Sequence, residues 1–212
     1  MIQMELRERG IIEFRFFGRI YRFATESGLF SYREIDEGTG FLLEALVKTF
    51  SGKRISSSAQ HETTIAMPNA SILDLGCGYG VIGITLAEVL RPKQVVMVDI
   101  EPRAVSLARK NARDMRLGNA KALRSDVCSA LDPRDMFDLI VTNPPIKAGR
   151  EKVLEFMTQA RQHLSPGGEF WAVVMSRHGA KRYLESMRVM FSGCEIPDRE
   201  SGYMLLRGWI DA

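Results

Sequence analysis

The chain predicts an α/β fold: an open, mostly parallel sheet with helices on both faces. Two observations carry that expectation. From about residue 71, short apolar runs alternate with helix-length amphipathic segments, the pattern of successive right-handed βαβ units. Three of these runs also stop at glycine, aspartate or Asn-Pro, as buried parallel strands do where they leave the sheet. A chain of 212 residues, 45% hydrophobic and 26% charged, is long enough to bury such a core without disulfides or a structural metal.

The elements follow in order. Residues 1–60 are expected to form an N-terminal β/α segment packed on a main domain at 61–212, one structural unit overall. Alternation in Phe14-Arg15-Phe16 and Tyr21-Arg22-Phe23 puts rings on one strand face and guanidiniums on the other. Such a pair either contacts RNA or buries its rings and leaves the arginines in solvent. The Ser/Gly-rich stretch 51–60 reads as a loop. Ser71–Leu75 is a buried strand, and Val81–Leu90 a helix stopped near Pro92. Gln94–Val98 is a β-branched strand. Pro102 suits a first helical turn, and Val105, Ala108, Ala112 and Met115 share one face of the helix that follows. Arg103, Arg109, Lys110, Arg113 and Arg116 on that helix read as a solvated face. Ala120–Leu123 and Phe137–Thr142 are strands, and Glu151–Leu164 is a helix. Ser165–Gly168 reads as a turn, Glu169–Met175 as a strand and Gly179–Met190 as a helix. Two last strands, near Cys194–Ile196 and Tyr203–Ile210, lack a helix between them and predict an antiparallel hairpin at the sheet edge.

Several classes are disfavoured. No apolar run approaches the roughly 18–20 residues that span a bilayer, and the charged N-terminus has no signal-like apolar stretch. Cys77, Cys128 and Cys194 are scattered, and His61, His163 and His178 lack metal-ligand spacing. No metal, no membrane association and a reduced, cytoplasmic setting are expected. A net charge of +3 permits an anionic partner without demanding one.

In sheets of this kind, ligands bind beyond the carboxyl ends of the strands. Asp74, Asp99, Asp126 and Asn143 all fall at or just past such ends. Asp74-Leu75-Gly76-Cys77-Gly78-Tyr79-Gly80 is a strand, a glycine turn and a helix start. Gly78 to Gly83 formally satisfies G-x-G-x-x-G, and Asp99 follows at about the twenty residues where a ribose-binding acid belongs. A nicotinamide enzyme is therefore a rival. Asp74 argues against it, since a carboxylate there repels a pyrophosphate but suits a cationic ammonium. Cys77 reads chiefly as a small packing residue.

Asn143-Pro144-Pro145-Ile146 ends the fourth strand. The prolines make a rigid exit without N–H donors, so backbone carbonyls remain free to accept. Asn143 Oδ1 and the Pro144 carbonyl together can bind both hydrogens of a poorly nucleophilic NH₂ group and stabilise charge building on its nitrogen.

In this order and spacing, D-L-G-C-G-Y-G, V-D-I-E-P, S-D-V and T-N-P-P-I resemble the class I S-adenosylmethionine-dependent methyltransferases. The resemblance implies a Rossmann-like sheet of seven strands. It implies that Asp74, Gly76, Cys77, Gly78 and Gly80 border the methionine part of S-adenosyl-L-methionine and that Asp99 binds the ribose hydroxyls. Ile100 is implied along the adenine, Asp126 at its amine with Val127 packed nearby, and Asn143, Pro144, Pro145 and Ile146 at the reacting amine. Thr25–Ser31, Ile35-Asp36-Glu37-Gly38-Thr39 and a helix through Leu42, Leu43 and Leu46 are similar to the N-terminal segment of the small-subunit ribosomal RNA guanine-N2 methyltransferases, as is Thr142–Gly149. That similarity implies ribosomal RNA as partner and guanine as target, with the N-terminal segment covering the cofactor. Ile146 stands where amine methyltransferases often carry a stacking aromatic, leaving Phe30 or Phe41 to hold a planar base. The alternatives are methylation of a protein glutamine amide and a non-catalytic RNA-binding module that retains the cofactor fold.

Overall fold

The computed structural model describes residues 9–52 and 67–212. The 60/61 boundary, Arg7, His61 and most of the expected 51–60 loop lie outside them.

A hairpin comes first, β1 (Arg9–Phe16) and β2 (Arg19–Glu26), with Phe14 opposite Tyr21. Its two-residue turn, Phe17-Gly18, has positive φ at both positions, as the right-handed strand twist favours. The alternation resolves toward packing. Ile12, Phe16, Tyr21 and Phe23 are buried, while Arg22 stays in solvent and pairs with Glu13 at 3.0 Å. α1 (Glu37–Gly52) follows, burying Leu42, Leu43 and Leu46; its last turn occupies positions 51 and 52, expected as loop.

The main sheet contains β3 (Ser71–Leu75), β4 (Gln94–Asp99), β5 (Ala120–Arg124), β6 (Phe137–Thr142), β7 (Leu164–Met175), β8 (Gly193–Glu195), β9 (Arg199–Glu200) and β10 (Tyr203–Trp209). The helices between strands are α2 (Val81–Leu90), α3 (Pro102–Asp114), α4 (Arg150–Gln162) and α5 (Ala180–Met190). Strand order is β5-β4-β3-β6-β7-β10-β8, and short β9 pairs with β10 to make eight strands. The five strands from β5 to β7 are parallel; β10 runs antiparallel to β7 and to β8, so the expected hairpin extends the β7 edge.

Alternate strand residues feed two cores. Ile72, Val95, Met97, Val141 and Val173 face α1, α2, α3 and the hairpin, while Leu73, Leu75, Val96, Val98 and Val174 face α4 and α5. This two-sided burial explains why the strands read as continuous apolar runs. One expected boundary is corrected. Ser165–Gly168 is no turn between elements but a bulge inside β7: the register passes from Phe137 opposite Leu164 to Leu139 opposite Glu169. Pro166 and Gly167 (φ 75°) look like a break in the sequence, yet β6 continues pairing on either side and carries the strand across it.

α3 stitches the hairpin to the sheet. Fully buried Asn111 donates from Nδ2 to the carbonyls of Ala24 (3.0 Å) and Tyr79 (2.9 Å), and its Oδ1 accepts the Ala24 N–H at 2.8 Å. The basic face of α3 is engaged in ordinary surface bonds. Arg103 pairs with Glu26 and Glu101, Arg109 donates to the Ala122 carbonyl, and Lys110 pairs with Asp114.

Candidate active site

A cavity of about 470 Å³ opens over the carboxyl ends of β3, β4, β5 and β6, within the usual range for small-molecule sites. Its walls include Gly76, Cys77, Gly78, Asp99, Ile100, Asp126, Val127 and Asn143-Pro144-Pro145-Ile146. The N-terminal segment closes one side with Phe30, Ser31, Ile35, Asp36 and Thr39. Four separate strand ends thus bring together most of the residues picked out in the sequence.

The glycine turn is held from behind by Asp99. Its Oδ2 accepts the Gly78 N–H at 2.8 Å and its Oδ1 the Glu101 N–H at 2.9 Å. Asp99 is not the N-cap of α3; Glu101 fills that place. Each carboxylate oxygen keeps a second lone pair for a ligand hydroxyl. Gly78 has φ 55°, and a Cβ there would enter open space within the cavity. A side chain would occupy the room a ligand needs, so the residues present fit a nucleoside cofactor lying against the main chain. Half-exposed Ile100 offers an apolar face beside Asp99. Asp126 also lines the cavity, with Oδ1 bonded to Lys152 Nζ at 2.7 Å, leaving Oδ2 for a ligand. Val127 is buried at φ 50°, a left-handed conformation that strains a β-branched residue by on the order of 1–3 kcal/mol.

Two implied residues fall outside the cavity wall. Asp74 is fully buried beneath α2, where Oδ2 accepts the Gly83 N–H at 2.8 Å and Oδ1 has no partner among the described residues. The helix sits so close that a Cβ on Gly83 would meet Met97 Cγ at 2.5 Å. The last glycine of the apparent dinucleotide fingerprint therefore serves helix–strand packing. Gly80 likewise turns its missing side chain toward Ile84 and Ala108. Cys77 does line the cavity, but burial and the nearby carboxylates push its thiol well up, so it stays a neutral packing group.

Burial pushes the Asp74 carboxyl up to about 7, against the Gly83 bond and with help from the Asp99 charge. From the ordinary carboxylate range up to pH 7, the unfolded chain has lost this proton while the folded chain keeps it. Stability therefore falls as pH rises through that window, and the deficit persists above it. Asp74→Asn removes the titration. Its stability relative to the wild type should improve from pH 5 to pH 8 by on the order of a few kcal/mol, read from denaturant melts. A pH-independent difference would contradict this.

Asn143 shows what sequence reasoning missed. Its Nδ2 donates to Asp36 Oδ2 at 2.9 Å and to Thr39 Oγ1 at 3.0 Å. A carboxylate only accepts, so the amide orientation is fixed and Oδ1 is left as the acceptor of this cavity-lining residue. Asp36 also accepts the Thr39 N–H at 3.1 Å, starting α1, and Tyr203 reaches its other oxygen at 3.5 Å. The readable signal was Asp36 three residues before Thr39, an N-cap pattern. The Pro144 carbonyl accepts the Ile146 N–H at 2.8 Å and retains one lone pair. Of the two aromatics considered for stacking, Phe41 is buried away from the cavity, whereas Phe30 lines it and is 64% exposed. Tyr79 bridges the glycine turn and the N-terminal segment, its hydroxyl donating to the Ser31 carbonyl at 2.9 Å.

Among the described residues no group of His, Cys, Asp and Glu is arranged to hold a metal, and no helix is long and apolar enough to cross a membrane.

Comparison with known proteins agrees with this geometry. A model of the methyltransferase small domain family matches residues 20–207. The YbxB protein of Bacillus subtilis is 31% identical over 92% of this chain and 88% of its own length. Ribosomal RNA small subunit methyltransferase C of Haemophilus influenzae is 32% identical over 83% of this chain, but only 51% of its own. The structure of the T. thermophilus 16S rRNA N2 G1207 methyltransferase (RsmC), in complex with AdoMet and guanosine, superimposes with a TM-score of 0.80 at 27% identity. It covers 96% of this chain and 50% of that one, so the chain spans about half the length of these ribosomal RNA methyltransferases. A Lactobacillus ribosomal protein L11 methylase, 17% identical with a TM-score of 0.61, shares the fold. The chain belongs to the methyltransferase small domain family.

Proposed function

We propose that this chain methylates the exocyclic N2 amine of a guanine in small-subunit ribosomal RNA. The observation that carries the reading is the Asn143 amide, clamped by Asp36 and Thr39 so that Oδ1 is left to accept. An exocyclic amine is a weak nucleophile because its lone pair is delocalised into the ring. Asn143 Oδ1 and the remaining lone pair of the Pro144 carbonyl bind its hydrogens and stabilise the positive charge that grows on nitrogen. Phe30 supplies an aromatic face for a planar base, which Ile146 does not. S-adenosylmethionine supplies an activated methyl group on a sulfonium. Similarity to RsmC favours guanine over a protein amide.

Two experiments test the reading. Calorimetry should show binding of S-adenosylmethionine and none of NADH. Label from radioactive S-adenosylmethionine should enter unmodified small-subunit ribosomal RNA or its particle. Label in a ribosomal protein instead would establish the glutamine reading; cofactor binding without any transfer would leave a non-catalytic RNA-binding module.

Asp36 acts here as a positioning residue. Asp36→Ala releases the Asn143 amide and should lower the single-turnover rate roughly tenfold, about the worth of one hydrogen bond, with cofactor affinity retained. Asp36→Asn still offers an acceptor and should restore most of the rate. Equal losses in both variants would contradict a positioning role.

A further inference from the structure

Beside the main cavity lies a second one, walled by Arg150, Arg177, His178, Lys181 and Arg182, with no carboxylate among the described residues that line it. His178 lines both cavities, so the two adjoin. Three half-buried cations elsewhere are each held by two carboxylates: Arg103 by Glu26 and Glu101, Lys152 by Asp126 and Glu155, Arg207 by Glu169 and Glu195. Arg150, Arg177, Lys181 and Arg182 form no ion pair among the described residues. Even Glu185, one turn beyond Lys181 on α5, does not pair with it. All four cations are exposed, and like charges gathered without counter-ions repel one another, so the arrangement itself is unfavourable until an anion arrives. The start of α5 opens into the same place, with no side-chain cap and no acid in its first turn, which adds to the positive potential.

We infer that this second cavity binds backbone phosphates of the RNA strand whose base enters the main cavity. The inference rests on RNA being the substrate. A base drawn into the main cavity keeps its flanking phosphates outside, and the adjoining cationic cavity is where they meet charge. Phosphate contacts of this kind fix register without reading sequence.

The test uses the full chain and a fluorescently labelled single-stranded fragment of small-subunit ribosomal RNA, titrated across a series of KCl concentrations. Arg177→Gln/Arg182→Gln should flatten the slope of log K against log[salt] by about 1.4, at about 0.7 per phosphate contact on a single strand. The KM for RNA should rise on the order of tenfold, with S-adenosylmethionine affinity unchanged. Arg177→Lys/Arg182→Lys should keep the wild-type slope, as should Arg113→Gln/Arg116→Gln in the last turn of α3 and the turn after it. Wild-type slope in the glutamine pair, with the wild type itself binding and methylating RNA, overturns this inference alone. A loss shared by the lysine pair also overturns it, since charge would then not be the cause. A wild type that neither binds nor methylates RNA overturns the functional reading, and this inference with it.

Discussion

Asn143→Ala should slow methyl transfer about 10²–10³-fold while leaving S-adenosylmethionine affinity nearly unchanged. The variant loses the one acceptor that Asp36 and Thr39 leave available on this side chain. Asn143 sits at the end of β6, and its amide makes no bond to Asp99 or to the glycine turn, so the cofactor side of the cavity keeps its hydrogen bonds. Asn143→Asp should be slow for a reason the structure supplies. The new carboxylate would face Asp36 at the 2.9 Å now spanned by the Nδ2 bond, replacing a donor with a like charge. That pair must either share a proton or move apart, and both disturb the acceptor. Cofactor titration and single-turnover rates on one RNA check the split. Wild-type rates in Asn143→Ala would reduce Asn143-Pro144-Pro145-Ile146 to a strand terminator.

Asp99→Ala should have the opposite signature, with loss of cofactor affinity first. Two charge-assisted hydrogen bonds to ribose hydroxyls, worth about 1.5–3 kcal/mol each, correspond to roughly 10²–10⁴ in affinity. The same change frees the N–H groups of Gly78 and Glu101, so the turn that lies against the ligand loses its brace as well. Asp99→Asn keeps an acceptor but loses the charge and one of the two backbone bonds, and should fall between. Calorimetry with S-adenosylmethionine reads both variants. Unchanged affinity in Asp99→Ala would remove the ribose role.

The sequence displayed the sheet clearly because its strands are buried on both faces; runs such as Ile72-Leu73-Asp74-Leu75 and Val95-Val96-Met97-Val98 admit few other readings. It displayed the cavity residues for a related reason: parallel strands deliver their carboxyl-end residues to one edge. The β7 bulge at Ser165–Gly168 was hidden, because local turn chemistry there is overridden by pairing with β6. Asp74 and Gly80 share a motif with Gly78 but point into packing, a distinction of direction that residue spacing does not encode. Asn111 and Asp36 were missed as contributors because their partners, Ala24 and Asn143, lie 87 and 107 residues away in the chain. The cationic second cavity was equally invisible, since Arg150 comes from α4 and the others from the turn after β7 and the start of α5.

The most direct measurement is the identity of the methylated nucleoside. Unmodified small-subunit ribosomal RNA, incubated with the chain and S-adenosylmethionine, is digested to nucleosides and analysed by mass spectrometry against standards. Methylation of an amine held by Asn143 and Pro144 predicts N2-methylguanosine, absent when Asn143→Ala replaces the wild type. A methyl group found on a ring carbon or a ribose hydroxyl, or no methylated nucleoside at all, would contradict it.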